Sequence, residues 1–128
     1  MKLLRLRGRK TCDRLLRLGR VWKGKNLQVR WMEGAPRHPS TPVGVAAVYA
    51  GTLASTKLDK SAVNRNRMRR RCREALRLAL QDTPDFASVQ LLIVPRSSSL
   101  RVPFEQILGD IRAFLSTQSH ARPRTEKR

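Results

Sequence analysis

The sequence predicts an α+β fold of order α-β-β-β-α-β-α, a four-stranded sheet sandwiched with helices. Three observations carry that prediction. Dense apolar runs of strand length stand at Val43–Ala50 and Val89–Val94. They are separated by a stretch, Ser55–Arg77, whose apolar residues recur with helical rather than alternating period. A second helical period near the C-terminal end, Phe104, Ile107, Leu108, Ile111, Phe114 and Leu115, runs for three turns. A helix between two strands, with helices to cover a sheet, is an α+β layer arrangement. At 128 residues the chain is one domain's worth, expected over residues 1–115, with residues 116–128 a basic, disordered tail.

In chain order, residues 1–10 are basic and read as extended or loose. Thr11 can cap a short helix with Asp13 in its first turn. Cys12, Leu15 and Leu16 form its apolar face, and Gly19 is its natural stop. Arg20–Asn26 reads as a linker carrying Trp22 and two lysines. Leu27–Met32 alternates Leu27, Val29 and Trp31 against Gln28 and Arg30, the period of a half-buried strand. Glu33–Pro42, with three prolines, a glycine and His38, is a loop. Val43–Ala50 suits a central strand covered on both faces, bent at Gly51 and Thr52. Leu53–Leu58 reads as a third strand or the end of a long hairpin, and the residues do not choose between them. The basic helix follows to about Leu80. Gln81–Ala87 is a turn, Val89–Val94 the last strand, and Arg96–Arg101 a Ser-rich loop. Pro103 fits the first position of the last helix.

Charge narrows the function. The formal net charge is +19 and the isoelectric point about 11.8, more than solubility requires, and a domain this basic points to a phosphate-rich partner. Between Lys57 and Arg77 there are nine Lys or Arg residues and two acids, Asp59 and Glu74. On a helix, Met68, Cys72, Ala75, Leu76 and Ala79 share one face, whereas Arg69, Arg73 and Arg77 line another. Arg67, Arg70 and Arg71 fill the remaining outward surface. Six arginines within the ten residues Arg65–Glu74 repel one another, a cost that a bound polyanion offsets. An ordinary solvated face would not need such crowding. Asp59 and Ser61 are both candidates to cap this helix.

The same reading excludes other classes. Two cysteines, Cys12 and Cys72, make no disulfide framework, and His38 and His120 stand apart from any zinc-spaced cluster. The start MKLLRLRGRK lacks the apolar run of a signal peptide, and no run reaches membrane-spanning length, so a cytoplasmic protein is expected. No nucleophile sits beside a base, and no carboxylate cluster suits magnesium.

The triplet Arg65-Asn66-Arg67, preceded by Ala62-Val63 and followed by Met68-Arg69-Arg70 and Arg73-Glu74, resembles the signature of the bacterial ribonuclease P protein component. The first helix ending at Gly19, the Val43-Gly44-Val45 strand and the late Ile93-Val94-Pro95-Arg96 strand end fit the same family, over residues 3–115. The resemblance implies a protein subunit that binds a catalytic RNA and the 5′ leader of precursor tRNA and promotes removal of the leader. The RNA would hold the Mg2+ ions and perform the hydrolysis. It implies no membrane and no obligate protein partner, and a left-handed βαβ crossover around the basic helix, against the usual rule.

Carried over residue by residue, the resemblance makes Lys57, Lys60, Arg65, Asn66, Arg67, Arg69, Arg70 and Arg73 the catalytic-RNA contacts. It places the leader in a cleft between the sheet and the first helix. Many members have aromatics there where this chain has Cys12 and Leu16; Trp22, Trp31 or Tyr49 are the rings available to supply stacking. Lys60 replaces a glycine common before the motif, and the longer Val43–Lys57 span suggests an extended hairpin around Gly51–Ser55. The alternative reading is a ribosomal or ribosome-assembly RNA-binding protein. An independent nuclease and a duplex-DNA binder reading the major groove are further classes; the first lacks the carboxylates it would need.

Overall fold

In the computed structural model the described residues are 1–39, 41, 42, 44 and 46–126, with side chains described as far as Gln118. The elements run β1 (Lys2–Arg5), α1 (Arg9–Leu18), β2 (Arg20–Lys23), β3 (Leu27–Glu33), β4 (Ala47–Thr52), α2 (Ala62–Gln81), β5 (Val89–Pro95), a 3-10 turn (Ser97–Leu100) and α3 (Phe104–Glu126). The strands form one sheet in the order β1-β4-β5-β3-β2. β1, β4 and β5 are parallel neighbours, while β5-β3 and β3-β2 are antiparallel. β4 and β5 are therefore joined through α2 as a βαβ unit.

The sheet has five strands rather than four, and the difference has physical causes. Two short edge strands escape a periodicity search. Lys2–Arg5 lies in the stretch expected to be loose, and Arg20–Lys23 in the stretch expected to be a linker. Each is four residues long with a cation at both ends, which suits an edge that must not recruit another chain. The strand or hairpin expected over Leu53–Leu58 is absent. One backbone bond, Leu53 N–H to the Ile93 carbonyl at 2.9 Å, extends the ladder past β4. Leu58 N–H then closes a turn on the Ser55 carbonyl at 3.1 Å. The strand expected from Val43 begins at Ala47; Val43 and Val45 lie outside the described residues.

Two helix starts and stops also differ in mechanism. α1 begins at Arg9 behind Gly8, at φ 93°, and not at Thr11. Gly19 does end α1, but in extended backbone at φ −68°. Its lack of a side chain matters for space: a Cβ there would lie 2.4 Å from the Leu15 carbonyl oxygen and 3.3 Å from the Trp31 nitrogen. At the other end, α3 continues through 116–126, where a tail was expected. Within that extension Ser116 and Thr117 donate their hydroxyls to the Ala113 and Phe114 carbonyls at 2.8 and 2.6 Å, which keeps these polar groups satisfied on the helix. Residues 127 and 128 lie outside the described residues.

The main core lies between one face of the sheet and the helices α2 and α3. Leu27 and Val29 of β3, Val89, Leu91 and Ile93 of β5, and Val48 of β4 pack there. They meet Cys72, Ala75, Leu76 and Ala79 of α2 and Ile107, Ile111, Phe114 and Leu115 of α3. The stripe expected on α2 is thus the buried one, Met68 included. α1 covers part of the opposite face, where Leu15 packs with Leu6, Ala47, Tyr49 and Leu92.

Candidate nucleic-acid interface

α2 starts where its residues say it should. The Ser61 hydroxyl accepts the Asn64 N–H at 3.2 Å, the N-cap bond. One carboxylate oxygen of Asp59 accepts Ser61 N–H at 2.8 Å and the other the Asn64 amide at 3.1 Å. Those two bonds, in that order, hold the Asp59 carboxyl below the usual aspartate range. Both cap candidates are therefore used, in series.

The arginines of α2 divide into two groups. Arg65, half-buried, donates through one guanidinium nitrogen to the Asp59 carbonyl at 2.9 Å and the Lys60 carbonyl at 3.0 Å. Arg69 reaches the Ala54 carbonyl at 3.1 Å and the Asn66 side-chain oxygen at 2.6 Å. Together they tie the Ala54–Lys60 loop to the first turns of the helix, which sets Lys57 and Lys60, both exposed, beside it. Arg67, Arg70 and Arg73 are exposed and make no hydrogen bond or ion pair with a described residue. Guanidinium forks presented this way match phosphate oxygens.

Two more arginines leave the expected outward row. Arg71 turns inward and bridges the Ser99 carbonyl, at 2.6 Å, and the Val102 carbonyl, tying α2 to the start of α3. Arg77 is paired with Glu74 through both guanidinium nitrogens facing its carboxylate, which holds the Glu74 carboxyl down and the Arg77 guanidinium up. Helical spacing alone could not separate Arg71 from Arg70; its tertiary acceptors lie 28 and 31 residues away.

The five residues expected in a leader cleft are split by the sheet. Cys12 and Leu16 of α1 and Tyr49 of β4 lie together on the α1 face. Trp22 and Trp31 lie on the other face, edge-on to Phe114 at 5.8 and 6.0 Å between ring centroids. Arg20 covers the Trp31 ring at 5.0 Å. Strand alternation accounts for this: Trp31 pairs with Leu91 and Trp22 with Val29, both core-facing. Of these rings Tyr49 alone lies on the α1 side, and it is buried, at 2% exposure. A polar hollow of about 310 Å³ opens beside α1, lined by Lys10, Arg14 and Arg37 with Gln90.

Five of the acids are engaged within the chain. Asp59 is engaged at the cap and Glu74 with Arg77. Asp82 pairs with Arg112 at 3.0 Å, Asp85 with the terminal amine at 3.3 Å, and Asp110 accepts Asn26 N–H at 2.8 Å. Among the described residues no group of three His, Cys, Asp or Glu is placed to hold an ion, and no helix is long and apolar enough to cross a membrane.

Arg5, which the sequence reading did not single out, projects from the unexpected β1 at the edge beside α2; a four-residue strand carries too short a period to have marked it.

Comparison with known proteins agrees with the geometry. A family model described as Ribonuclease P matches residues 1–118. The ribonuclease P protein component of Parasynechococcus marenigrum (strain WH8102) is 33% identical over 122 residues, 89% of this chain and 91% of that protein. Its counterpart in Prochlorococcus marinus (strain MIT 9303) is 32% identical over 93 residues, 70% and 73% of the two chains. Among solved structures, the RNase P protein from Thermotoga maritima matches with a TM-score of 0.68 at 20% identity, over 88% of this chain and 96% of that one. The Staphylococcus aureus RNase P protein matches at 0.66 and 17% identity, over 88% and 93%.

Proposed function

We propose that this chain, which belongs to the ribonuclease P protein family, grips the catalytic RNA of the ribonucleoprotein with the outward side of α2 and the loop before it. The enzyme it serves removes the 5′ leader of precursor tRNA. The single observation that carries the assignment of surface is the group of acceptor-free guanidinium side chains, Arg67, Arg70 and Arg73, flanked by exposed Lys57 and Lys60. Asn66 offers its amide at the same surface, and Arg65 and Arg69 hold the loop in register with it.

The chemistry that follows is neutralisation and positioning. Phosphates of the RNA take the place of the counterions around the row, so affinity falls with salt. If six to nine phosphates are neutralised, log K against log salt has a slope on the order of −4 to −8. The leader would lie on the α1 face, against half-buried Cys12 and Leu16, with the Tyr49 ring buried in the same cluster. With little aromatic surface there, apolar contact would do more than stacking. Mg2+ would be held by the RNA, a reading supported by the engagement of Asp59, Glu74 and Asp82 with groups of the chain itself. The protein would act in the cytoplasm, where its substrate is made.

Reconstitution tests this. Added to the catalytic RNA at low Mg2+, the chain should raise the rate of precursor tRNA cleavage, and alone it should cleave nothing. Cleavage by the chain without RNA, or no stimulation of the RNA, would overturn the reading.

A further inference from the structure

The α2 arginine row does not end on the helix. β1 is the outermost strand of the sheet, and it stops at Arg5, level with Ala50 of β4, while β4 runs on through Gly51 and Thr52. Between its edge and α2 lies an open groove of about 990 Å³. The floor is aliphatic, formed by Leu3, Ala50 and Leu76 with Thr52 at its end, and past the sheet edge the groove is also lined by Leu6 and by Cys12 of α1. Arg5 stands on one wall, Arg70 and Arg73 on the other. The two remaining arginines of that wall are committed, Arg69 to the Ala54 carbonyl and Arg77 to Glu74. Arg5, Arg70 and Arg73 have no hydrogen-bond or ion-pair partner among the described residues. They are the groups that an incoming ligand would meet.

Charge and apolar surface are therefore interleaved within one groove. A duplex offers phosphates but keeps its base faces stacked inside. An unpaired strand offers both, phosphates to the guanidinium walls and base faces to an apolar floor. An acidic peptide would satisfy the walls and leave the floor without a planar partner.

We propose that this groove, built by the fifth strand, is a docking site for an unpaired segment of the catalytic RNA. The inference rests on the function proposed above and adds a second element to the interface. The same α2 residues, Arg70 and Arg73, form one wall and belong to the surface assigned to that RNA, which is why the catalytic RNA rather than the leader is its occupant. Guanidinium groups on both walls hold the backbone. The aliphatic floor accepts bases without reading their edges, so the site selects single-stranded form over sequence.

Two variants test it in the full chain with the catalytic RNA. Arg5→Ala removes a wall charge, and Thr52→Trp fills the groove while keeping every charge. Arg5→Ala should bind the catalytic RNA about tenfold more weakly and flatten the salt slope by about 0.7. Thr52→Trp should weaken binding with the slope retained and the thermal midpoint near that of the parent. Wild-type affinity in both variants would overturn the proposal. If Thr52→Trp lowers the thermal midpoint, Arg5→Ala alone decides. Loss of affinity for precursor tRNA that disappears when the leader is cut to one nucleotide, with catalytic-RNA binding unchanged, would assign the groove to the leader and also overturn it. If wild-type chain fails to stimulate the catalytic RNA at all, the functional reading fails first. If it stimulates and the groove variants bind normally, only this inference fails.

Discussion

The two faces of the sheet are finished in different ways. On the α2/α3 face, Phe86 and Phe114 are sealed under two helices, and both tryptophans meet Phe114 edge-on. The α1 face is covered by one ten-residue helix. There the Tyr49 hydroxyl and the Arg30 Nε are buried without a hydrogen-bond partner, and Leu18 and Val21 remain exposed at 57% and 42%. The closed face is not free of such features: Ser99 Oγ at the α2–α3 junction is buried without a partner, and Val63 of α2 is exposed. What separates the two faces is how much helix covers them, two long helices against one short one.

That contrast can be broken most forcefully at Phe114. Phe114→Ala removes the ring on which Trp22 and Trp31 rest, and should cost about 3–5 kcal/mol in denaturant unfolding; a loss near zero would mean the closed face is not closed. Arg71→Ala should come next. It leaves the Ser99 and Val102 carbonyls without their donor at the α2–α3 junction, a loss of about 1.5–3 kcal/mol, while the salt slope of RNA binding stays put. A reduced slope would show that Arg71 contacts phosphate after all.

On the open face the expected effect is small and opposite in sign. Tyr49→Phe deletes a hydroxyl that bonds to nothing among the described residues, so stability should be unchanged or higher by about 1 kcal/mol. A clear destabilisation would reveal a partner for that hydroxyl and narrow the difference between the faces. The two cysteines give the gentlest probe. Burial pushes the Cys72 thiol up to about 12, from an ordinary 9.0, and raises Cys12 as well, by burial and then by Asp13. The neutral Cys72 thiol therefore contributes stability in full below about pH 9, which is lost as pH rises toward about 12. In alkylation at mild alkaline pH, half-exposed Cys12 should react before Cys72; the reverse order would place the α2 stripe nearer solvent than described.

Sequence patterns revealed the closed face better than the open one, for a physical reason. α2's buried stripe and α3's period are long helical signals repeated over several turns, and they place Met68, Cys72 and Leu76 inside as expected. β1 and β2 are too short to show a period, and their charged ends look like linker. Trp22 and Trp31 are offered by the sequence as rings for the leader because aromatic type says nothing about what a ring packs on. The alternation with Leu27 and Val29 already puts Trp31 on the apolar side, and register with Val29 and Leu91 puts both rings on the core face. Within the basic helix, composition marks the surface but not the division of labour. Whether Arg65, Arg69 or Arg71 meets phosphate or a carbonyl of its own chain depends on where the loop at 54–60 and the turn at 97–102 return to it.

The acceptor-free row on α2 is what the whole account rests on, and its salt dependence tests it most directly. Affinity for the catalytic RNA is measured from low to moderate salt for the wild type and for the Arg67→Ala, Arg70→Ala, Arg73→Ala triple variant. The slope should flatten by about 2–3 for three lost phosphate contacts, with an unchanged thermal midpoint because none of the three holds the fold. A triple variant with the wild-type slope would contradict the assignment of this surface to RNA.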